Sequence, residues 1–317
     1  MSKKSLHNKR VWVTGHRGMV GSAICRQLAV NHDVNLLTVT HKELDLTDLA
    51  ATQEWFEENK PEIIIHCAAK VGGIEANKNQ PVEFLSENLA IGLNVIHSAA
   101  KYNVEKLVNL GSSCFYPKVS AQPISETSLL TGSLEPTNEA YALAKITLTK
   151  LCSFYRAQYN KDFITIVPTN LYGEGDNFDA NHGHVISALI TKFVEAKQDN
   201  TGKVELWGTG KPLREFIYVD DAAAGILMLT ENYSSLEHIN LSGGETVSIK
   251  ELAVVIQELV GYQGEVVFDT SKPDGMMKKS LDNSAIAKLG WQPETSLVNG
   301  LQLTLNYYQQ RDENYGI

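Results

Sequence analysis

Short apolar runs alternate with helical patterns of apolar and polar positions through the first half of the chain. Runs typical of buried strands occupy residues 10–14, 35–39, 62–66, 106–110 and 163–167. Between them, the periodicity predicts helices over residues 19–30, 52–59 and 81–102, and a further helix that begins near Asn138. Strands that alternate with helices are joined by right-handed crossovers, so the pattern predicts an α/β fold with a doubly wound parallel sheet.

This alternation loosens after Gly173. A polar loop over residues 175–183 precedes a predicted helix at 185–197 and a short strand at 204–207, and a helix at 248–260 and a strand at 265–268 follow later. These strands are too few for a second complete sheet of the same kind, so we expect a smaller α/β lobe that binds substrate. We place the first domain at residues 9–173 plus about 214–244, and the lobe at about 174–213 plus 245–317.

Composition and charge narrow the class of protein. The chain has 317 residues, 43% hydrophobic and 21% charged, which is typical of globular proteins. A formal net charge of −9 argues against a general nucleic-acid-binding protein, although a few local cations can still hold an anionic substrate. No apolar run approaches the roughly 20 residues that span a bilayer, and the basic start lacks a secretory-signal pattern. We expect a cytoplasmic protein with no membrane partner and a frayed tail over residues 1–8.

The cysteines give no sign of a metal site. Cys25, Cys67, Cys114 and Cys152 lie far apart and show no Cys-x-x-Cys spacing. Common zinc sites use such spacing, and disulfide frameworks are typical of small, cysteine-dense secreted chains. We therefore expect no bound metal and no disulfide framework.

A glycine-rich segment connects the first predicted strand to the first predicted helix. Residues 14–21 have the sequence Thr-Gly-His-Arg-Gly-Met-Val-Gly, in which Gly15, Gly18 and Gly21 complete the pattern TGxxGxxG. One glycine permits a tight turn, another lets the backbone approach a pyrophosphate, and the last allows close packing of helix on strand. The N–H groups of the helix N-terminus would face the anion. The segment predicts a dinucleotide-binding sheet of the Rossmann type.

The end of the second strand indicates which dinucleotide binds. Folds that prefer NAD usually carry an acidic residue there to hold the ribose 2′-hydroxyl, and the sequence Val39-Thr40-His41-Lys42 has none. Arg17, together with His41 or Lys42, could instead face a 2′-phosphate, although each of them could also be a solvated surface charge. The missing acidic residue, together with these cations, predicts that the cofactor is NADP(H). Asp45 or its neighbours would then lie beside the adenine.

A second motif, Tyr141-Ala-Leu-Ala-Lys145, lies early in the helix that begins near Asn138. Residues four apart share a helical face, so the phenol and the ammonium can enter one site. We expect the positive charge of Lys145 to lower the pKa of Tyr141 and make it a usable proton donor and acceptor. Ser112 follows the strand at 106–110, at an edge where open α/β sheets bind ligands, and can hydrogen-bond the same substrate oxygen.

Taken in order, these motifs and the segment Pro168-Thr-Asn-Leu-Tyr-Gly173 resemble the extended short-chain dehydrogenases/reductases. The resemblance implies that nicotinamide exchanges hydride with a sugar carbon. It also implies that Tyr141 moves a proton to or from the sugar oxygen, Ser112 orients that oxygen, and Lys145 holds the nicotinamide ribose.

Within that superfamily, Ser112-Ser-Cys114 and His184-Val185 resemble the GDP-L-fucose synthase family. Sugar dehydratases carry Thr-Asp-Glu in place of the serine–cysteine segment, and simple 4-epimerases need no thiol there. The resemblance implies that Cys114 is the base and His184 the acid that invert C3 and C5 beside a 4-keto group. The following Val185-Ile186 favours His184 over the nearby His182.

The same resemblance implies the remaining contacts and partners. The chain would act on GDP-4-keto-6-deoxymannose and form a homodimer through the helices at 81–102 and 138–159. The family commonly has arginine where His41 stands, so the resemblance says less about cofactor preference than about the reaction. The cofactor would also contact His16, Met19, Val20, His41, Leu44, Leu110, Ser112, Tyr141, Lys145, Pro168, Asn170, Leu171 and His184. Substrate contacts would come from Lys192, Trp207, Arg214 and Asp274.

Two other functions remain open on the sequence. One is an epimerase or reductase of the same superfamily that acts on a different nucleotide-sugar. The other is a non-catalytic, NADP-sensing protein, which would not need Ser112, Tyr141 and Lys145 together.

Overall fold

The chain forms alternating strands and helices in a computed structural model that describes residues 5–31, 33–180, 183–272 and 274–315. The strands are β1 (Arg10–Thr14), β2 (Asn35–Leu37), β3 (Ile63–His66), β4 (Lys106–Leu110), β5 (Phe163–Pro168), β6 (Asn170–Tyr172), β7 (Lys203–Trp207), β8 (Leu213–Tyr218), β9 (Ile239–Leu241), β10 (Thr246–Ser248), β11 (Glu265–Asp269) and β12 (Lys278–Lys279). The helices are α1 (Met19–Asn31), α2 (Leu49–Asn59), α3 (Ile74–Asn79), α4 (Pro81–Lys101), α5 (Glu139–Tyr159), α6 (Val185–Gln198), α7 (Val219–Asn232), α8 (Ile249–Val260), α9 (Ser284–Ala287) and α10 (Leu297–Tyr315). Short 3₁₀ helices at Ser113–Phe115 and Glu126–Ser128 lie between β4 and α5.

Six strands form one parallel sheet in the order β2-β1-β3-β4-β5-β9. The predicted doubly wound parallel sheet is therefore confirmed. The chain moves outward from β1 to β2 and then returns to the other side of β1 with β3, which creates a topological switch point. Such sheets bind ligands beyond the carboxyl ends of the strands at that point. There the Thr14 hydroxyl oxygen accepts the N–H groups of Cys67 and Ala68, each at 3.1 Å, and so joins the ends of β1 and β3.

Helices cover both faces of this sheet because successive side chains of its strands point to opposite sides. Val11 and Val13 pack into the core shared with α1 and α7, whereas Trp12 packs into the core shared with α2, α4 and α5. Trp12 stacks on Trp55, with ring centroids 3.9 Å apart, and meets Phe56 edge-on at 5.3 Å. All of these strand residues are fully buried, so the apolar run is explained by burial on two faces.

The predicted boundaries agree closely with the structure in this part of the chain. Strand β2 ends at Leu37 rather than at residue 39, and α2 begins earlier than predicted, at Leu49. The early start of α2 has a local cause, because the Asp48 carboxylate accepts the Ala51 N–H at 3.1 Å and caps the helix.

The second half contains smaller sheets, several of whose elements the sequence did not predict. Strand β8 pairs with β6, β10 and β12, and β7 pairs with β11 in a separate parallel pair. Helices α7 and α10 and strands β8 and β9 had no prediction. The return of β9 to the large sheet supports the proposed use of residues near 240 in the first domain, while β8 belongs to the smaller sheet. The full division into two units stays a prediction.

The start of the chain is more ordered than expected. Residues 1–4 lie outside the described part, but Leu6 is fully buried and its N–H donates to Glu231 Oε1 at 3.4 Å. The prediction of a frayed tail is wrong from this point, because Leu6 joins the core beside α1 and α7. Among the described helices, none combines the length and apolar character needed to cross a membrane. The described residues also contain no cluster of three or more His, Cys, Asp or Glu side chains able to hold a metal ion.

Candidate active site

The glycine-rich turn after β1 has the close approaches that its sequence predicts. Gly15 adopts φ +67°, and a Cβ there would lie 2.8 Å from the Ala68 nitrogen. A Cβ on Gly21 would collide with the Gly15 carbonyl oxygen, so α1 can pack this tightly only with glycine. The turn is closed by the Gly18 N–H, which donates to the Gly15 carbonyl at 2.9 Å. This cradle at the start of α1 fits the pyrophosphate of a dinucleotide.

The segment after β2 contains an acid that the sequence reasoning did not use. The Glu43 carboxylate accepts the Thr40 N–H at 3.0 Å and the Thr40 hydroxyl at 2.7 Å. These bonds, with smaller contributions from the Arg17 and His16 charges, hold the pKa of Glu43 below its usual range. The Arg17 charge is thus near enough to Glu43 to contribute to this shift.

Three further residues that the sequence predicts to contact the cofactor, Asp45, His41 and Leu44, have neighbours within the protein. The Asp45 carboxylate accepts the Thr47 N–H at 2.9 Å and the Thr47 hydroxyl at 2.8 Å, and His41 Nδ1 lies 4.0 Å from the same Asp45 oxygen. Leu44 is buried in the core beside Trp12, so only its backbone can face a ligand.

The predicted reductase residues come together beyond the carboxyl end of β4. Lys145 is buried and its ammonium donates to the Leu110 carbonyl at 2.8 Å, while the same ammonium lies 5.7 Å from the Tyr141 ring centroid. The Ser112 hydroxyl lies close enough to the Tyr141 hydroxyl for its hydrogen-bonding effect to lower the pKa of Tyr141. Its own oxygen also accepts the Cys114 N–H at 3.3 Å, which starts the 3₁₀ turn that carries the cysteine.

The expected lowering of the Tyr141 pKa is wrong. Burial raises the pKa of Tyr141, the nearby Cys114 raises it further, and only the Ser112 hydrogen bond opposes the shift. Lys145 does not offset this because the ammonium is itself buried, which lowers its pKa to about 8, and it is directed at Leu110 rather than at the phenol oxygen. Tyr141 is thus a protonated group at neutral pH, in the form that can donate a proton.

Cys114 has a cationic neighbour that the sequence reasoning missed. Lys279 Nζ lies 3.7 Å from the Cys114 sulfur, and the two residues are 165 positions apart. Strand β12 brings the lysine there through its parallel pairing with β8, in which Lys279 is opposite Arg214. A Lys-Lys pair in the sequence gives no signal for this contact, since only the pairing of β12 selects Lys279 over Lys278.

His184 is the residue that precedes α6, and a buried carboxylate holds its ring. His184 Nδ1 lies 2.8 Å from Asp176 Oδ1, and the Asp176 side chain is only 2% exposed while that of His184 is 51% exposed. The hydrogen bond to Asp176 raises the pKa of His184, and partial burial opposes the rise. The polar loop 175–183 therefore contains a functional partner, which the sequence reasoning overlooked. His182, the alternative histidine, lies outside the described residues.

The predicted substrate residues lie along β7, β8 and the segment that leads to β12. Burial lowers the pKa of Arg214, and the charge of the nearby Asp274 opposes this shift. The Asp274 carboxylate also accepts the Thr209 N–H at 2.6 Å and the Thr209 hydroxyl at 2.7 Å. Trp207 is 63% exposed, with Lys272 Nζ 5.4 Å from its ring centroid. Lys192 is half-buried on α6.

Glu215, next to Arg214, is a further residue that the sequence analysis did not identify. Its fully buried carboxylate accepts the Ser242 hydroxyl at 2.6 Å, the Gly244 N–H at 2.5 Å and the Leu281 N–H at 2.9 Å. These bonds join β8 to the segments after β9 and β12, and so fix the strand that carries Arg214. Asn170 contributes to the same frame, since its amide donates to the Glu215 carbonyl at 2.7 Å.

The chain is similar to known proteins over nearly its whole length. The chain is similar to GDP-L-fucose synthase 1 of Arabidopsis thaliana, with 49% identity over 97% of this chain and 95% of that protein. Among solved structures, it is similar to a GDP-6-OMe-4-keto-L-xylo-heptose reductase from C. jejuni, with TM-score 0.92, 35% identity and coverage of 98% of this chain and 100% of that one. It is also similar to a GDP-L-fucose synthetase from Naegleria fowleri bound to NADP, with TM-score 0.90, 31% identity and coverage of 98% of each chain. Residues 11–242 match the NAD dependent epimerase/dehydratase family. The glycine turn, the group of Ser112, Tyr141 and Lys145, and this match all lead to the same assignment. The chain belongs to the NAD dependent epimerase/dehydratase family.

Proposed function

We propose that this chain converts GDP-4-keto-6-deoxy-D-mannose to GDP-L-fucose by inverting C3 and C5 and then reducing C4 with NADPH. The observation that carries the proposal is the placement of Cys114 in the reductase site. The thiol is two residues from Ser112 and close enough to Tyr141 for its charge to raise the tyrosine pKa. A reductase that only reduces needs no such base, whereas an epimerase with a reductase step does.

Epimerisation comes first in this account. The 4-keto group makes the protons at C3 and C5 acidic, and reduction would remove that acidity. Cys114 acts as the base that removes each proton, and His184 acts as the acid that delivers one to the opposite face. Cys114 follows β4 of the large sheet, and His184 follows β6, which pairs with β8 in the smaller sheet. The Lys279 ammonium lies 3.7 Å from the sulfur that acts as this base.

Reduction follows at the same carbonyl. Bound NADPH supplies the hydride that C4 receives. Tyr141, which is protonated at neutral pH, donates a proton to the C4 oxygen as charge develops there. Ser112 hydrogen-bonds the oxygen and orients it, and Lys145 holds the nicotinamide ribose while its charge stabilises the developing phenolate.

The cofactor and the substrate use separate parts of the cleft. The turn at Gly15, Gly18 and Gly21 holds the pyrophosphate, and Arg17 faces the 2′-phosphate, which makes the cofactor NADP(H). Residues that line the rest of the cofactor are His16, Met19, Val20, His41, Leu44, Asp45, Leu110, Pro168, Asn170, Leu171 and His184. Arg214 and Lys192 hold the diphosphate of the GDP-sugar, Trp207 packs against it, and Asp274 faces a hydroxyl.

A GDP-sugar reductase without epimerase activity is the second candidate. The similarity to the C. jejuni reductase favours it, since that protein matches this chain at a TM-score of 0.92. The two functions differ in whether C3 and C5 are inverted. A non-catalytic NADP sensor is disfavoured because it would not need Tyr141, Ser112 and Lys145 together, and the Lys145 ammonium lies 5.7 Å from the Tyr141 ring centroid.

One assay separates these functions. The purified chain is incubated with GDP-4-keto-6-deoxymannose and NADPH, and the configuration of the product at C3, C4 and C5 is determined by NMR. We expect GDP-L-fucose. A 6-deoxyhexose reduced at C4 but not inverted at C3 and C5 would favour the plain reductase, and no NADPH oxidation with intact cofactor binding would favour the sensor. Cys114→Ser should lower the inversion rate without weakening NADPH binding, and an unchanged inversion rate would make Cys114 a packing residue.

We also propose that the chain is a cytoplasmic homodimer formed through α4 and α5. These helices pack side by side, and α5 presents Phe154 and Tyr159, which are 63% and 59% exposed. Cys25, Cys67, Cys114 and Cys152 are all free, which suits a reducing compartment in which the thiol of Cys114 persists. Sedimentation of the wild type and of Phe154→Glu tests the dimer, with a shift toward monomer expected for the variant and no shift counting against this interface.

A further inference from the structure

Asp176 is a buried carboxylate with three partners in the loop before α6. Its Oδ1 accepts the Asn177 N–H at 2.8 Å and lies 2.8 Å from His184 Nδ1, and its Oδ2 accepts the Ser187 hydroxyl. The side chain is 2% exposed, so water does not compete for these bonds. The site thus contains a carboxylate and an imidazole joined in the way that carboxylates orient histidines elsewhere in proteins.

The bonds define which ring nitrogen of His184 carries the proton. An ionised carboxylate has only acceptor positions, so it needs a donor at each contact. Nδ1 must therefore carry a hydrogen that it donates to Asp176. In the neutral ring this leaves Nε2 without a hydrogen, which is the opposite of the tautomer that an imidazole free in water prefers.

We propose that Asp176 is a positioning residue, which fixes His184 in the Nδ1–H tautomer and so makes Nε2 the atom that delivers the proton during inversion. The proposal rests on the epimerase function proposed above. In the step, protonated His184 gives the Nε2 proton to the substrate carbanion, a new C–H bond forms, and the ring is left neutral. The ring then regains a proton at Nε2 from solvent, while the Nδ1–H bond to Asp176 is kept throughout.

The raised pKa of His184 supports this positioning role, since the hydrogen bond to Asp176 is the largest cause of the rise. The helix N-terminus supports it too. Ser187 lies in the first turn of α6, so the carboxylate sits at the positive end of a 14-residue helix, where a negative charge is stabilised.

The first test uses the wild-type protein alone and does not depend on its activity. The protein is labelled with ¹⁵N-histidine, and the two ring nitrogens of His184 are assigned by comparison with His184→Asn among the nine histidines of the chain. At a pH where the ring is neutral, we expect the hydrogen on Nδ1 and a bare Nε2. A hydrogen on Nε2 with a bare Nδ1 would overturn the proposal, whether or not the enzyme epimerises.

The second test separates positioning from a merely structural role. In deuterated water, Cys114 can exchange the C3 and C5 hydrogens without inversion, whereas inversion needs the proton from His184. We expect Asp176→Ala to lower inversion by a factor on the order of 10² while exchange into recovered substrate changes little. Asp176→Asn, which can keep an oxygen facing Nδ1, should retain more inversion than Asp176→Ala.

Asp48→Ala is the matched control, because it removes the capping carboxylate of α2 far from this loop. It should leave the ratio of exchange to inversion unchanged. An equal fall of exchange and inversion in Asp176→Ala, or no fall in either, would contradict the proposal. Absence of inversion in the wild type would instead refute the epimerase function, and the tautomer measurement would still decide the role of Asp176.

Discussion

Lys279 and Cys114 meet across the candidate site, with the lysine Nζ 3.7 Å from the cysteine sulfur. The lysine comes from β12, and the cysteine from the 3₁₀ turn after β4, so the contact joins the small sheet to the large one. An ammonium at this distance stabilises a thiolate, which is the form of cysteine that acts as a base or nucleophile.

Removal of this charge should make Cys114 less reactive. We predict that Lys279→Met slows alkylation of Cys114 by iodoacetamide at neutral pH, because the variant lacks the ammonium that lies 3.7 Å from the sulfur. Mass spectrometry of the modified peptide gives the rate at Cys114 separately from the other three cysteines. Lys278→Met is the control, since its exposed side chain neighbours Lys279 in sequence. Equal rates for the two variants would show that the contact does not influence the sulfur.

Arg17 should determine the choice between the two dinucleotides. We predict that Arg17→Ala weakens NADPH binding roughly ten- to hundredfold and leaves NADH binding nearly unchanged, because only NADPH carries the 2′-phosphate. Fluorescence titration with each cofactor measures both constants. Arg26→Ala on α1, which breaks an ion pair with Asp220, should affect neither cofactor selectively. Equal weakening of NADPH and NADH by Arg17→Ala would place the arginine elsewhere on the dinucleotide.

The free energy of unfolding should decrease as the pH falls below about 6.5, the ordinary pKa of a histidine side chain. Burial lowers the pKa of His66 to about 3, with a smaller contribution from the Lys145 charge. The unfolded chain takes up this proton below about pH 6.5 and the folded chain does not, so the free energy of unfolding decreases between about pH 6.5 and 3.

One histidine contributes at most about 1.4 kcal/mol for each pH unit. We predict that His66→Gln loses less stability than the wild type between pH 6.5 and 4.5, as measured by urea unfolding. His7→Gln, a change at an exposed histidine, should keep the wild-type slope. The same slope in His66→Gln and the wild type would contradict the assignment.

The sequence predicted the large sheet well because its signals are local. Strands such as β3 are unbroken apolar runs, and the glycine turn consists of eight consecutive residues. Strand β9 was missed because three residues, Ile239–Leu241, are too short to show a period. Strand β8 was also missed, because only Arg214 was considered in this segment, as a substrate contact.

The candidate site was predicted in part for the same reason. Tyr141 and Lys145 are one helical turn apart, so their proximity follows from the sequence, whereas Lys279 and Cys114 meet only because β12 pairs with β8. The predicted direction of the Tyr141 pKa shift was wrong because the shift depends on burial, which a sequence motif does not reveal. Asp176 had a weak local signal, because it is a carboxylate eight residues before His184 in the polar loop 175–183.

The most direct test of the two-stage account is a paired measurement on Tyr141→Phe in deuterated water, with GDP-4-keto-6-deoxymannose and NADPH. Because Cys114 and His184 act before C4 is reduced, loss of the phenol removes the last proton donor and leaves the earlier steps in place. We predict that NADPH oxidation falls by a factor on the order of 10² to 10⁴, while deuterium still enters C3 and C5. NADPH oxidation at a near-normal rate would contradict the role of Tyr141 as the acid, and loss of deuterium exchange equal to the loss of oxidation would contradict the separation of the two stages.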